Sequence, residues 1–341
     1  MDAWYLVDAV TVGSTVKLRF YDPSTESLKE VVDNSYRPYF LLPYPLSQQD
    51  ERNVRSLYGE VEAVKKIDLY TNEAREVAKV NVYKPEFVRK AMRKFETIWE
   101  CEIDFSHSYA YDRGLIFGVL HAMALDKSFV PVLSFPENLR ARFDEVFGNI
   151  RDSDPLRFGQ LEQWFCLLHQ SVPSVKAEIL GIRGEINPER HNWAFTLSRI
   201  VNLPVPQTYS SRRVSDWLKS MMYAYLRKNN ILIPTSRELR RGLETHRVPG
   251  ALTITPKSGI YFNTIVADFE SLYPSCIDSY NLSYETVDCA HEECKTKKVS
   301  EVGHHVCMKR RGFLSALIGA LKDLRIRWFK PLSKDTSLPQ T

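Results

Sequence analysis

The chain has 341 residues, 44% hydrophobic and 26% charged, which is ample for two or three packed units and too apolar for wholesale disorder. No apolar run approaches a membrane span, and the start Met1-Asp2-Ala3-Trp4-Tyr5 lacks the basic and apolar regions of a secretory signal. Neither a membrane-embedded nor an exported protein is therefore expected, and the cytoplasm is the expected compartment. A net charge of +4 does not by itself announce a nucleic-acid partner.

Strands are predicted over Trp4–Val7 and Ser14–Asp22; in the second, Val16, Leu18 and Phe20 alternate with Lys17, Arg19 and Tyr21, giving one core face and one wet face. Residues 34–40 approach a further strand, and Val77–Tyr83 alternates again. Pro85 opens a helix with Phe87, Val88, Ala91, Met92, Phe95 and Ile98 on one stripe. Together these make a compact α+β module. Leu139–Phe147 reads as helical and carries Asp144 and Glu145, with Asp152 and Asp154 in a polar loop behind it. Val214, Trp217, Leu218, Met221, Met222 and Tyr225 form an amphipathic helical series, read as core packing without a cofactor. Arg227–Pro234 ends that helix and leads out as extended chain. Arg237, Arg240, Arg241 and Arg247 then bracket Val248-Pro249-Gly250-Ala251, where Gly250 lets backbone approach a phosphate closely.

Gly259–Val266 is rich in β-branched and aromatic residues and almost continuously apolar, the pattern of a strand buried on both faces. Asp268 sits at its end, where a carboxylate can hold a hard divalent cation. The turn through Ser271 to Pro274 offers backbone amides to a polyphosphate. The plainer reading is a turn-forming Asp268 and a core Tyr273. Farther on, Cys289-x-His291-x2-Cys294 and Gly303-His304-His305-Val306-Cys307 have spacings compatible with zinc, with a disulfide as the rival; Cys101, Cys166 and Cys276 read as ordinary buried thiols. Gly312–Arg325 reads as a helix. From Met308 onward Lys and Arg outnumber Asp by six, which suits either a solvated helix face or a phosphate-facing surface.

The string Asp268-Phe269-Glu270-Ser271-Leu272-Tyr273-Pro274-Ser275, continued by Asn281-Leu282-Ser283-Tyr284-Glu285-Thr286, closely resembles the first palm motif of family B DNA polymerases, archaeal ones in particular. The resemblance implies that Asp268 and the Phe269 carbonyl bind metal in a two-magnesium nucleotidyl transfer. It makes the Ser271 and Leu272 amides triphosphate contacts, Tyr273 a steric gate against ribose, and Arg325, assisted by Lys330, the clamp on the incoming dNTP. Arg247, Gly250 and Ala251 fall where the family follows template DNA, although the usual tyrosine of that turn is absent; Cys276 and Tyr284 also depart from the family pattern. Arg37-Pro38-Tyr39-Phe40 and Glu102–Leu115 resemble the family's N-terminal domain, and Val7, Pro38, Tyr39 and Phe105 fall near its template-uracil pocket. Some hyperthermophilic members carry a disulfide at the place of Cys294 and Cys307, so the resemblance favours that pairing over zinc.

The implied organisation is α+β in four parts. Residues 1–118 form an N-terminal β-rich domain, 119–195 a reduced or degenerate exonuclease region, 196–307 a connecting helix and partial palm, and 308–341 the first fingers helix with a basic tail. No Asp-x-Glu strand occurs in 119–195, so no proofreading is expected. The family's second catalytic aspartate, second fingers helix and thumb are not among these residues. A second polypeptide is expected to supply them, with primer-template DNA and dNTPs as the remaining partners and little activity from this chain alone. The alternative is a non-catalytic DNA-binding or regulatory remnant of a polymerase.

Overall fold

The computed structural model describes residues 3–211, 213–239, 254–299 and 303–334. The N-terminal part is built from β1 (Ala3–Val12), β2 (Thr15–Asp22), β3 (Ser27–Asp33), β4 (Tyr39–Pro43), α1 (Gln48–Ser56), β5 (Glu60–Ile67), β6 (Ala74–Asn81), α2 (Pro85–Ala91) and α3 (Phe105–Asp112). Then come β7 (Leu120–Met123), β8 (Phe129–Pro131), α4 (Arg140–Ser153), α5 (Pro155–Leu168), α6 (Pro188–Val201), α7 (Val205–Ser210), α8 (Val214–Lys228) and α9 (Ser236–Leu239). The last elements are α10 (Leu272–Ser279), α11 (Glu292–Lys295), α12 (Phe313–Asp323), a π-helical run Leu324–Phe329, and α13 (Lys330–Lys334).

One antiparallel sheet has the order β3-β2-β1-β7-β8 and a second the order β4-β6-β5. In the first, Val16, Leu18 and Phe20 pack on α3, as the alternation predicts. The opposite face is not wet: Tyr5, Val7 and Tyr21 pack there against Phe195, Val205 and Tyr209 of α6 and α7. Two-sided burial was hidden because tyrosine reads as amphipathic and the covering helices lie far away in sequence. Pairing jumps from Leu6↔Phe20 to Asp8↔Arg19, so Val7 is the extra residue of a β-bulge.

The α2 stripe is shorter than predicted. The helix stops at Ala91 and Met92 is exposed, while Phe95 and Ile98 reach the same core from irregular chain. Similarly, in α8 only Met221 is fully buried from the predicted series, and Val214 and Leu218 face solvent.

Residues 119–195 do not stand apart. Strands β7 and β8 extend the first sheet, so a cut after 118 would sever it. Phe143, Phe147, Phe158, Leu161 and Phe165 of α4 and α5 form one core with Phe313, Leu317, Ala320, Leu324 and Trp328. The helix that carries Arg325 is thus seated on α4 and α5. Arg199 ties the layers together: buried, it donates to the carbonyls of Gly118, Leu167, Gln170 and Ser171, joining the sheet to the C-terminal end of α5, where a cation is favoured.

Candidate functional site

The predicted buried strand Gly259–Val266 is not a strand. Ile260, Phe262, Ile265 and Val266 are each at least 85% exposed, and among the described residues nothing pairs with their backbone. An apolar run becomes a sheet strand only beside a neighbour that completes its hydrogen bonds and covers its side chains. Asp268 and Phe269 follow on the same open face, both exposed.

Order returns at Ser271, whose left-handed backbone (φ 53°, ψ 49°) turns the chain into α10. The Leu272 and Tyr273 amides precede the first intrahelical donor, and Pro274 has no N–H to strand, so this helix start presents donors that no described residue pairs. Across 54 residues of sequence, Arg325 Nη1 comes within 3.0 Å of Ser271 Oγ. Lys330 forms an ion pair with Glu270. That lysine holds the Glu270 carboxyl below its ordinary pKa, outweighing the small opposing effect of burial. The π winding of Leu324–Phe329 bears on this geometry, because i→i+5 bonding brings residues five apart toward one face and Arg325 and Lys330 are five apart. The structure therefore gathers Glu270, Ser271, Arg325 and Lys330 beside the start of α10, with Leu272 and Tyr273 exposed there.

Two features the sequence did not announce hold this arrangement. The first is Asp278, buried on α10 and ringed by Arg157 of α5 (3.0 Å), Lys322 of α12 (2.6 Å) and Arg311. Burial alone would raise its pKa, but Lys322, Arg157 and Arg311 together hold it below the ordinary carboxylate value. Arg311 also reaches Asp154 (2.8 Å), and Arg157 also reaches Asp323. Gly319 is obligatory beneath this group, since a Cβ there would lie 2.7 Å from Asp278 Oδ1. The second feature is the cap of α12. Asn281 Oδ1 accepts from Gly312 N (2.8 Å), Glu285 Oε1 from Phe313 N (2.7 Å) and Ser283 Oγ from Leu314 N (3.3 Å). The available signal was the polar string Asn281–Thr286, but the helix it caps begins only at Phe313.

Other predicted residues are less concentrated. Arg247, Gly250 and Ala251 lie outside the described residues. Pro38, Tyr39 and Phe105 line a cleft of about 830 Å³ together with Val88, Met92 and Lys219. Val7 does not join them: with Tyr5 it alternates into the core on the other face of the sheet, so the four do not make one pocket. The Tyr39 hydroxyl is also engaged, donating to Asp112 (2.9 Å) beside buried Arg227. The favoured Cys294–Cys307 disulfide is not formed, and all six cysteines are free thiols. Cys289, His291, Cys294 and Cys307 instead converge on one another, an arrangement in which a bond between two thiols would strand the other two groups.

Residues 204–327 match the description DNA polymerase family B. DNA polymerase 1 of Aeropyrum pernix is 38% identical over 137 residues, 37% of this chain and 14% of that protein. DNA polymerase 1 of Saccharolobus solfataricus is 38% identical over 152 residues, 40% of this chain and 17% of that protein. The solved family B DNA polymerase of the hyperthermophilic archaeon Pyrobaculum calidifontis shares the fold, with a TM-score of 0.61 over 95% of this chain and 63% of that one at 17% identity. The stretches matched in the sequence relatives are thus a minor part of their length. On these findings residues 204–327 are similar to the family B DNA polymerases, and the chain as a whole has the fold of part of such an enzyme.

Proposed function

We propose that this chain supplies the incoming-nucleotide side of a DNA-directed DNA polymerase. The observation that carries the reading is the approach of Arg325 to Ser271 at the exposed start of α10. Unpaired amides, a guanidinium and Lys330 together form an anion site whose spread suits a triphosphate. Ser271 and Leu272 contribute their amides, with that of Tyr273 beside them, and the exposed Tyr273 ring stands ready to exclude a ribose 2′ hydroxyl by shape. Lys330 must exchange Glu270 for phosphate as the nucleotide enters.

Asp268 and the Phe269 carbonyl form a hard oxygen donor set that suits magnesium and provides one side of a two-ion site. When bound, the ions neutralise charge developing on the transferring phosphoryl group. The second catalytic carboxylate and the rest of the palm, fingers and thumb come, on this reading, from further polypeptide. Its strands pair with residues 259–269 and cover their apolar side chains. Primer-template DNA is the other partner.

Proofreading is not part of the proposal. Asp144 is taken up by Arg151 (2.7 Å), while Asp154 caps α5 and holds Arg311, so these carboxylates do not converge. Pro38, Tyr39 and Phe105 alone are proposed as a template-base contact.

The test is reconstitution with a polypeptide carrying the remaining motifs, followed by a primer-extension assay. Extension by the wild-type pair and none by the Asp268→Ala pair supports the enzyme. Extension unchanged by Asp268→Ala removes Asp268 from the chemistry, and DNA binding without extension in any pairing leaves a DNA-binding remnant.

A further inference from the structure

One cluster is left unused by that function. Cys289, His291, Cys294 and Cys307 place their ligand atoms within 4.8 Å of one another, with the three thiols buried and His291 half-buried. Tetrahedral zinc, with Zn–S about 2.3 Å and Zn–N about 2.0 Å, keeps ligand atoms roughly 3.5 to 3.8 Å apart. Small side-chain adjustments therefore suffice, and His291 Nδ1 already lies 3.4 Å from Cys307 Sγ.

The surroundings suit such a site. The Met308 N–H points at Cys294 Sγ (3.4 Å), as amides do toward thiolate ligands. Buried His305 sits 2.9 Å from the Cys289 carbonyl through Nε2, and Asp288 receives the His305 N–H (3.2 Å) and lies 2.6 Å from His304 Nδ1, so the loop on either side of Cys289 is held. Three soft thiolates and an imidazole select zinc over the hard cation suited to Asp268. Four protein ligands leave no open position, so the role is structural and not catalytic.

The cluster also closes the loop that starts α12. Cys307 N donates to Thr286 O (2.8 Å) and Asp288 N to His305 O (2.9 Å), pairing the two arms that carry the ligands. Asn281, whose Oδ1 caps α12, donates through Nδ2 to Cys307 O (3.1 Å) and Arg310 O (2.9 Å). Packing at the join is tight, since a Cβ on Gly312 would fall 2.4 Å from that of Ser283.

We propose that Cys289, His291, Cys294 and Cys307 close around one zinc ion, and that this ion pins the 281–312 loop and so sets where α12 presents Arg325. Binding releases the three thiol protons to solvent and involves no redox step. The positioning half rests on the nucleotide-site reading above; the metal-binding half does not.

The test begins with the full chain purified without chelator, its metal content measured beside a non-reducing peptide map. One zinc per chain is expected, and cobalt exchange should give thiolate-to-metal absorption. His291→Ala should weaken zinc binding by more than the roughly 10- to 100-fold that loss of an outer hydrogen-bond partner costs, whereas His291→Cys should retain the metal. A folded chain that takes up no zinc on reconstitution, or a map joining Cys294 to Cys307, overturns the site. For positioning, stripping zinc should weaken dNTP binding in the wild type and leave the residual binding of Arg325→Ala unchanged. An equal loss in both overturns the positioning role while leaving the metal site intact.

Discussion

Arg325 and Asp278 sit at the two ends of the same physical problem, one presenting a charge to solvent and the other burying one. Arg325 is exposed and its side-chain hydrogen bond among the described residues is to Ser271 Oγ, so its fork can turn onto a phosphate. Removing a charged donor from a bound triphosphate costs about 1.5 to 3 kcal/mol, an affinity loss of roughly 10- to 100-fold. Arg325→Ala should show that loss in dNTP titrations of the reconstituted enzyme, and Arg325→Lys should recover only part of it, because an ammonium cannot bind two oxygens at once. Full recovery by lysine would mean that charge alone matters. Asp278 works through the frame. Its folded pKa is depressed, so the stability it contributes is complete above its ordinary value near 3.8 and is lost as pH falls through the lower folded value. Asp278→Asn leaves three cations facing an uncharged amide and should cost about 3 kcal/mol or more at neutral pH. It should also flatten the acid limb of the stability profile, measured by urea unfolding from about pH 5 down to about pH 2. An unchanged acid limb would show that other carboxylates set it. Arg325 could be placed from the sequence because it follows a recognisable helix, whereas Asp278 has its partners 33 to 121 residues away and no local pattern betrays them.

Among elements, α12 is the one whose placement decides the site, and its start is held by side chains rather than by its own sequence. Glu285 is buried and accepts from Phe313 N, adding negative charge where the helix dipole favours it. Glu285→Ala orphans that amide and should destabilise the chain by about 1 to 3 kcal/mol in chemical unfolding, while Asp268→Ala, at an exposed position, should leave the midpoint almost unmoved. A Glu285→Ala effect no larger than that of Asp268→Ala would remove the cap from the account. Helices α2, α4, α8 and α12 and strands β1, β2, β4 and β6 were legible, since their periodicity is local, whereas α5, α6, α7 and α10 were not anticipated. Three further features were hidden. The β1 bulge at Val7 inserts one residue without a sequence marker. The π run after α12 depends on packing around Trp328. The covered back of the first sheet depends on helices more than 170 residues downstream, and that burial of Tyr5, Val7 and Tyr21 is what made the four-residue pocket and the wet face misleading.

At the scale of the whole molecule, one face is unfinished. Ile260, Tyr261, Phe262, Ile265, Val266, Phe269 and Tyr273 are all at least 65% exposed, which is far from ordinary for a contiguous apolar run on a protein surface. Elsewhere the core is closed: the helices around Trp328 and both sheets bury their apolar faces. The sequence announced a buried strand here because its composition is that of one; among the described residues no neighbour pairs with it, and on the proposed reading that neighbour belongs to further polypeptide. Unpaired edges and bare apolar side chains invite association, so the isolated chain should self-associate as its concentration rises, and Phe262→Ser with Ile265→Ser should reduce this in sedimentation runs. Hydrogen exchange gives the sharper readout. In the isolated chain at low concentration, amides 260–269 should exchange at nearly unprotected rates while those of α12 are slow. Adding the complementing polypeptide should protect 260–269 and leave α12 as it was, because a paired strand exchanges only through opening of the sheet. Protection of 260–269 already present in the monomer would mean the segment has its neighbour within this chain, and the need for further palm strands would fall away.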